Sequence, residues 1–235
     1  MFRDITAPYR FLESWFYDRA VAPAVAEMLD ERRGVLGPLL EAMPADGRLL
    51  DVGCGGGHLL ISLARRHPGW TMTGLDLSPD QVRRAGKRTR EQGGQISLIT
   101  GSALDLPLDT ESFDGIISVC AIKHWSRPEQ GLEECLRVLR PGGALIVMEV
   151  DRDCRREDRR AFVGRQKVPF FLKPSAMIGF RWKIAARSIP LGEAGSLFGR
   201  LPLSGFRIAP VPGMPLWMAT ARKRGAHTQR EVFPR

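Results

Sequence analysis

The chain contains little that would support a metal site, a disulfide framework or a membrane span. Only 4 of its 235 residues are cysteines, and they are widely spaced with no CxxC pair. We therefore expect free thiols in a reducing cytoplasm and no zinc site. No stretch approaches the roughly 20 consecutive apolar residues that span a bilayer, so no transmembrane segment is expected. The first residues lack an apolar core segment, so we also expect no signal peptide.

Two common nucleotide-binding motifs are also missing. There is no G-K-[ST] triplet, which excludes a P-loop. A glycine cluster is present, but the third glycine of a G-x-G-x-x-G dinucleotide fingerprint would fall on His58. The spacing that fits is D-x-G-x-G-x-G, formed by Asp51, Gly53, Gly55 and Gly57.

This glycine cluster lies between an apolar run and an amphipathic stretch, which predicts a strand, a tight turn and a helix. Glycine tolerates positive φ, and it lets a ligand approach backbone N–H groups without a Cβ in the way. The turn is therefore a candidate nucleotide-like site, with a purely structural turn as the alternative. A second acid, Asp76, ends a predicted strand 19 residues after Gly57. In βαβ nucleotide sites an acid at about this separation accepts hydrogen bonds from ribose hydroxyls. Otherwise, Asp76 is a surface or capping residue.

Apolar strands alternate with amphipathic helices as far as residue 150, which predicts a parallel sheet covered on both faces. Strands are predicted at 49–53, 70–77, 96–100, 113–119 and 144–150, with helices at 57–66, 79–91 and 127–139. Residues 8–43 predict mainly helix, broken near Pro23. Residues 140–143 predict a turn, and two short antiparallel strands are expected at 206–211 and 216–221.

The chain divides into five predicted segments. They are an N-terminal helical cap (1–45), the nucleotide-binding core (46–150), a helical insertion or lid (151–203), C-terminal strands of the same domain (204–224) and a basic tail (225–235). Acidic residues are scarce after the core: residues 151–235 contain 18 Lys and Arg but only 6 Asp and Glu. A basic surface of this kind can bind nucleic acid, an anionic membrane or an acidic substrate, and it can equally be a set of solvated arginines.

Four motifs, in order, resemble those of the class I S-adenosylmethionine (SAM) dependent methyltransferases. They are the glycine motif at 51–57, Leu106-Pro107 in a D-L-P-L turn, Phe113-Asp114 opening the fourth strand, and R-V-L-R-P-G-G within 132–150. The last is similar to the ubiquinone/menaquinone-biosynthesis subgroup. The resemblance implies a Rossmann-like, doubly wound, seven-stranded and mostly parallel sheet in the order 3-2-1-4-5-7-6. N-terminal helices and a helical cap between strands 5 and 6 would complete it.

The resemblance also implies SAM as cofactor and assigns its contacts. The glycines and Cys54 would lie at the SAM methionine and ribose, Asp76 at the ribose hydroxyls, and Leu77 against adenine. Asp51 is expected either near the methionine amino group or as a buried acid that stabilises the turn. The remaining expected contacts are Tyr17 at the methionine carboxylate, Cys120 at the sulfonium, and Ser102, Ala103 and Leu104 at the adenine edge.

Ser102 departs from the commonest pattern of the family, which has an aspartate there to accept from the adenine amine. A serine hydroxyl can accept a hydrogen bond, but without charge assistance, unless Asp105 substitutes. His124 follows the fourth strand and is the candidate general base, with a helix-orienting role as the alternative. Its neighbour Trp125 is a candidate wall for the methyl acceptor. His58 is better explained by its place at a helix end.

The first functional hypothesis is a small-molecule methyltransferase acting on an apolar or aromatic acceptor. The aromatic stretch at 168–184 is either a wall for that acceptor or an additional helical layer. The alternative is an RNA methyltransferase that uses the basic last third. No [DN]-P-P-[YFW] motif follows the fourth strand, which argues against amino-group methylation of bases. A non-catalytic SAM-binding module is the third hypothesis.

Overall fold

The structure is a computed structural model that describes residues 18, 22–31, 36, 43–90, 95–165, 171, 173, 177–178 and 188–225. Tyr17, most of the aromatic stretch at 168–184 and nearly all of the predicted basic tail lie outside the described residues. Seven strands are described: β1 (Arg48–Val52), β2 (Thr71–Asp76), β3 (Ile96–Thr100), β4 (Phe113–Val119), β5 (Leu139–Val150), β6 (Leu203–Pro210) and β7 (Leu216–Lys223).

These strands form one sheet in the order β3-β2-β1-β4-β5-β7-β6. The first five are parallel, and β7 pairs antiparallel with both β5 and β6. The predicted order and direction of the strands are therefore confirmed. The carboxyl ends of the five parallel strands meet at one edge, where open α/β sheets bind their ligands.

Six α-helices are described: α1 (Ala22–Glu31), α2 (His58–Arg66), α3 (Pro79–Thr89), α4 (Pro128–Val138), α5 (Arg156–Arg165) and α6 (Leu191–Phe198). Pro23 is the second residue of α1, a position where proline is tolerated because its missing N–H would be unpaired in any case. Ser78 caps α3, and its hydroxyl accepts from the Gln81 N–H, as its place before a proline predicts.

Adjacent residues of the central strands point to opposite faces and enter two separate cores. Leu49 packs with α1, α2 and α5, whereas Leu50 packs with α4 and α6. The runs of buried residues in β1, β2 and β4 show that these strands are covered on both faces. The sheet is thus covered on both sides, and the carboxyl edge is the part of it that is free to hold a ligand.

The predicted turn at 140–143 is wrong, because β5 runs through it from Leu139 to Val150. Phe113 pairs with Leu139 and Gly115 pairs with Ala144, so the extra residues form a bulge against β4. Gly142 supplies the positive φ of 78° that this irregularity uses. Strand β5 therefore continues through the predicted turn, with ladder pairs to β4 before it at Leu139 and to β4 and β7 after it from Ala144.

The segment between β5 and β6 contains α5 and α6, as the predicted helical insertion requires, while its exact limits stay a prediction. Among the described residues, no helix is both long and apolar enough to cross a membrane. All four cysteines belong to the described part of the chain and are free thiols.

Candidate functional site

The glycine turn after β1 is bonded to the neighbouring strand β2. Gly53, Gly55 and Gly57 have φ values of 85°, 52° and 77°, a region that side chains with a Cβ rarely adopt. The N–H groups of Gly53 and Cys54 both donate to the Leu75 carbonyl, at 2.7 and 3.0 Å. The turn is therefore rigid, and α2 begins directly after Gly57, with its N-terminus at the same edge of the sheet.

The three glycines differ in what surrounds them. A Cβ on Gly53 would lie 2.3 Å from the Ala121 Cβ, and one on Gly57 would lie 3.1 Å from the Ala85 Cβ. Among the described residues, no atom lies within 4 Å of the position where a Gly55 Cβ would be. Close packing thus explains two of the glycines, whereas no described side chain or backbone covers Gly55, as a ligand-binding turn requires.

Asp76, at the end of β2, lies beside this open backbone. Its Oδ2 accepts the Gly55 N–H at 2.9 Å, and its Oδ1 accepts the Ser78 N–H at 2.9 Å. Burial raises the pKa of this carboxyl, and the two hydrogen bonds oppose the rise. A carboxylate has about four lone-pair sites, so two are left for hydroxyl groups of a ligand.

Asp51, the last acid of β1, has no side-chain hydrogen bond in the part of the chain that the structure describes and is only 2% exposed. Burial, assisted by the neighbouring Asp76, raises the pKa of Asp51 from 3.8 to about 7. A positive group of a ligand placed nearby would favour the ionised form. The geometry is consistent with both expected roles, the contact to an ammonium group and the buried acid of the turn.

The loop after β3 forms the next part of this edge. Ala103 and Leu104 are buried, and the Ser102 hydroxyl accepts the Leu104 N–H at 3.1 Å. Asp105 is exposed and pairs by backbone with Ser102. Leu77, which follows β2, is 39% exposed at the same edge of the sheet. Contacts with adenine stay a prediction for Leu77, Ser102, Ala103 and Leu104.

Cys54 and Cys120 both lie at this edge but present different groups. The Cys54 sulfur packs close to Gly74 in the core, and burial, followed by the charges of Asp51 and Asp76, raises its pKa well above its usual value. Its contribution to the edge is therefore its backbone. Cys120 has a φ of 57°, a strained value for a non-glycine residue of the kind found at functional sites.

The strained turn at Cys120 is held by a buried ion pair that the sequence analysis missed. Lys123 Nζ lies 2.7 Å from Glu149 Oε1 and donates to the Cys120 carbonyl at 2.7 Å. The two side chains are 3% and 0% exposed, and Glu149 also accepts the Lys123 and Val150 N–H groups. The two partners are 26 residues apart, and no local motif links them.

The structure places the histidines and Trp125 as follows. His124 ends a short 3₁₀ turn (Ile122–His124) beyond β4, is half-buried and donates its N–H to the Ala121 carbonyl at 2.9 Å. Trp125 packs over Gly131 of α4, where an added Cβ would lie 2.4 Å from its ring. Trp125 is therefore occupied by helix packing, which weakens its predicted role as an acceptor wall. His58, as expected, makes a helix-end contact, with its Nε2 3.0 Å from the Asp18 carbonyl oxygen.

Apart from Tyr17, all of the predicted site residues belong to the described chain. The carboxyl edge of the sheet brings together Asp51, the glycine turn, Asp76, Leu77, the 102–104 loop, Cys120 and His124. Among the described residues, no group of His, Cys, Asp and Glu could hold a metal ion. A glycine turn, a β2 acid and the strand order 3-2-1-4-5-7-6 together define the class I methyltransferase architecture.

Comparison with known proteins agrees with this class. Residues 50–147 match the family described as "Methyltransferase domain". A 2-methyl-6-phytyl-1,4-hydroquinone methyltransferase of Oryza sativa subsp. japonica is 34% identical over 147 residues, which are 60% of this chain and 39% of that protein. A ubiquinone/menaquinone biosynthesis C-methyltransferase of Syntrophotalea carbinolica is 35% identical over 120 residues, 51% of each chain.

Solved structures share the fold at lower identity. One of them is the plantazolicin methyltransferase BpumL in complex with a desmethyl analogue and S-adenosylhomocysteine (SAH). It superposes with a TM-score of 0.67 at 16% sequence identity, and the match covers 91% of this chain and 89% of the BpumL chain. In its fold and over residues 50–147, the chain is similar to the class I SAM-dependent methyltransferases. It spans about half or less of the length of the two curated relatives described above.

Proposed function

We propose that the chain transfers a methyl group from SAM to a small, apolar or aromatic acceptor. The observation that carries this proposal is the bare backbone of Gly55 beside the Asp76 carboxylate, at the carboxyl edge of the sheet. A nucleoside needs both features, because close backbone approach accommodates its sugar and an acceptor pair binds the two ribose hydroxyls.

The residues at this edge offer groups that suit the chemistry of SAM. Asp51 provides a buried acid for the ammonium group of its methionine part, and Asp76 provides lone pairs for the ribose. Leu77, Ala103 and Leu104 provide an apolar surface for the adenine ring. In this proposal Ser102 offers only a neutral hydrogen bond at the adenine edge.

When bound, SAM supplies a methyl group on a positively charged sulfur, and transfer to an acceptor leaves SAH. The chain has to align the acceptor in line with the sulfur–methyl bond and keep water out. The rigid Cys120 turn, held by Lys123 and Glu149, lies where that alignment is set. His124 acts as a base only if the acceptor must lose a proton.

The acceptor class is inferred from the relatives and from the composition of the chain. The curated relatives described above are named for a hydroquinone and for quinone biosynthesis, which favours a small apolar ring over RNA. We place the acceptor side in the insertion at 151–203, of which α5 and α6 are described. A cytoplasmic location stays a prediction.

Isothermal titration calorimetry with SAM and SAH tests donor binding directly. We expect binding by the wild type and a loss of about 100-fold or more for Asp76→Ala, since two hydrogen bonds to a charged group are lost and each is worth about 1.5–3 kcal/mol. Asp80→Asn is the matched control, because Asp80 is half-exposed in the first turn of α3 and pairs only with Arg83. A wild type that gives neither heat nor thermal stabilisation with either ligand refutes the proposal.

A labelled-methyl experiment identifies the acceptor. Cell extract supplied with methyl-labelled SAM and the protein should yield a labelled small molecule by mass spectrometry, and label in RNA would instead support the alternative function. If the acceptor loses a proton, His124→Ala should lower kcat by about 100-fold or more, in the range typical of general bases. His67→Ala is the control, because His67 stacks on Trp70 at the far end of α2.

A further inference from the structure

Asp18 is a buried carboxylate that contacts the glycine turn, although it lies far from the turn in sequence. Its side chain is only 5% exposed. Arg88 of α3 binds it with both ends of the guanidinium group, Nη1 to Oδ1 at 2.9 Å and Nη2 to Oδ2 at 2.5 Å. The same Arg88 Nη1 donates to the Gly56 carbonyl at 3.0 Å, so one cation joins Asp18 to the turn.

This pair is built to remain charged. Burial alone would raise the pKa of Asp18, but the hydrogen bonds from His58 and Arg88 outweigh it and lower the pKa to about 2. A two-pronged arginine–carboxylate contact is directional as well as strong, so it fixes the position of both groups. The Asp18 backbone is fixed as well, because its carbonyl oxygen lies 3.0 Å from His58 Nε2.

Gly56 shows that the turn is shaped to this pair. Its φ is not positive, unlike those of Gly53, Gly55 and Gly57, and the D-x-G-x-G-x-G spacing leaves its position free. A Cβ on Gly56 would lie 1.8 Å from Asp18 Oδ1 and 2.3 Å from Arg88 Nη1. A side chain at position 56 would therefore displace the ion pair that sits against it, whereas the backbone conformation there does not call for glycine.

The same face of α3 supports the rest of the turn. Ala85 and Thr89 lie within 3.1 and 3.7 Å of the position where a Gly57 Cβ would be. Positions 85, 88 and 89 share one helix face, so α3 contacts two successive residues of the turn. Arg88 is the member of this face that links the turn to Asp18.

We propose that Asp18 and Arg88 are a positioning pair for SAM binding. Arg88 holds the peptide plane that follows Gly56, and Asp18 holds Arg88, so that the open backbone at Gly55 is already in its binding conformation. Without them, the ligand has to order the turn at the expense of affinity. This inference rests on the proposed function, because it assumes that the turn binds SAM.

The test combines two conservative substitutions with calorimetry against SAM and SAH. We expect Asp18→Asn and Arg88→Lys each to weaken the binding of both ligands about 10-fold in folded protein, verified by far-UV circular dichroism. Arg83→Lys is the control on the same helix and should bind as wild type does, since Arg83 is exposed and pairs with Asp80. If Asp18→Asn does not fold, the affinity of Arg88→Lys for SAM and SAH decides whether the inference holds.

A double-mutant cycle separates positioning from general destabilisation. Gly56→Ala should weaken SAH binding about 10-fold or more in the wild type, but less than about 3-fold in an Asp18→Ala background, because the clashing carboxylate is then gone and the Arg88 side chain that it held can move away from the new methyl group. Equal losses in both backgrounds, or unchanged affinity in folded Asp18→Asn and Arg88→Lys proteins, would overturn the inference. A wild type that binds neither SAM nor SAH refutes the proposed function, which is a distinguishable result.

Discussion

Replacing Asp51 by asparagine should change how the stability of this protein depends on pH. The Asp51 carboxyl is 2% exposed, and its pKa in the folded chain is about 7 against an ordinary value of 3.8. Between these two values the folded state keeps a proton that the unfolded state has lost. The free energy of unfolding therefore falls as the pH rises from about 4 to 7.

The size of the effect follows from the shift in the Asp51 pKa. About three units correspond to roughly 4 kcal/mol, which is the cost of ionising Asp51 in the folded state above pH 7. Asparagine avoids this cost, but burying its amide without a hydrogen-bond partner costs about 1–3 kcal/mol. Asp51→Asn should thus be about 1–3 kcal/mol more stable than the wild type at pH 8, and less stable by a similar amount near pH 4.

Urea unfolding followed by circular dichroism at several values between pH 4 and 8 measures this difference. The two stability curves should cross within this range. Asp46→Asn is the control, because Asp46 is exposed in the turn before β1 and its curve should run parallel to that of the wild type. A difference between Asp51→Asn and the wild type that stays constant with pH would show that Asp51 is already ionised in the folded protein.

Three further predictions concern the same edge of the sheet. SAM binding should release protons between pH 6 and 7, because the positive charge of SAM favours the ionised form of Asp51. The release is measured as a dependence of the calorimetric heat of binding on the ionisation enthalpy of the buffer, and equal heats in all buffers would contradict it. Gly53→Ala should lower the free energy of unfolding by about 3 kcal/mol in urea titrations, since its Cβ would meet Ala121 at 2.3 Å and its φ is positive. Glu149→Leu should cost about 3–5 kcal/mol by the same method, and adding Lys123→Met should recover most of that loss. A double variant no more stable than Glu149→Leu would show that the lost bonds to the Cys120 carbonyl and the backbone N–H groups, and not the unpaired lysine charge, cause the destabilisation.

The elements of the core are predictable because their signals are local. Strand β3 falls at residues 96–100 as predicted, and α2 and α4 agree with their predicted limits within one residue. Each depends on apolar periodicity or on a capping residue close in sequence. The predicted start of β5 is wrong for the opposite reason, since the bulge before Ala144 depends on how β5 pairs with β4, which is distant in sequence.

The candidate site divides in the same way. Asp51, the glycines and Asp76 are found from spacing, because a strand–turn–helix unit fixes their relative positions. Lys123, Glu149, Asp18 and Arg88 are not found, because nothing near them in sequence shows their partners. A lysine beside β4 and a glutamate in β5 are ordinary residues until the sheet places those strands side by side.

The sequence by itself determined the alternation of strands and helices, the glycine turn and the acid that follows on β2. These depend on interactions within about 30 residues, which periodicity and spacing record directly. Only the tertiary structure decided which glycines face a ligand and which are packed. It alone shows that a side chain at position 56 would displace an ion pair formed across 70 residues. Such contacts exist only after the chain has folded, since they depend on the relative placement of whole elements.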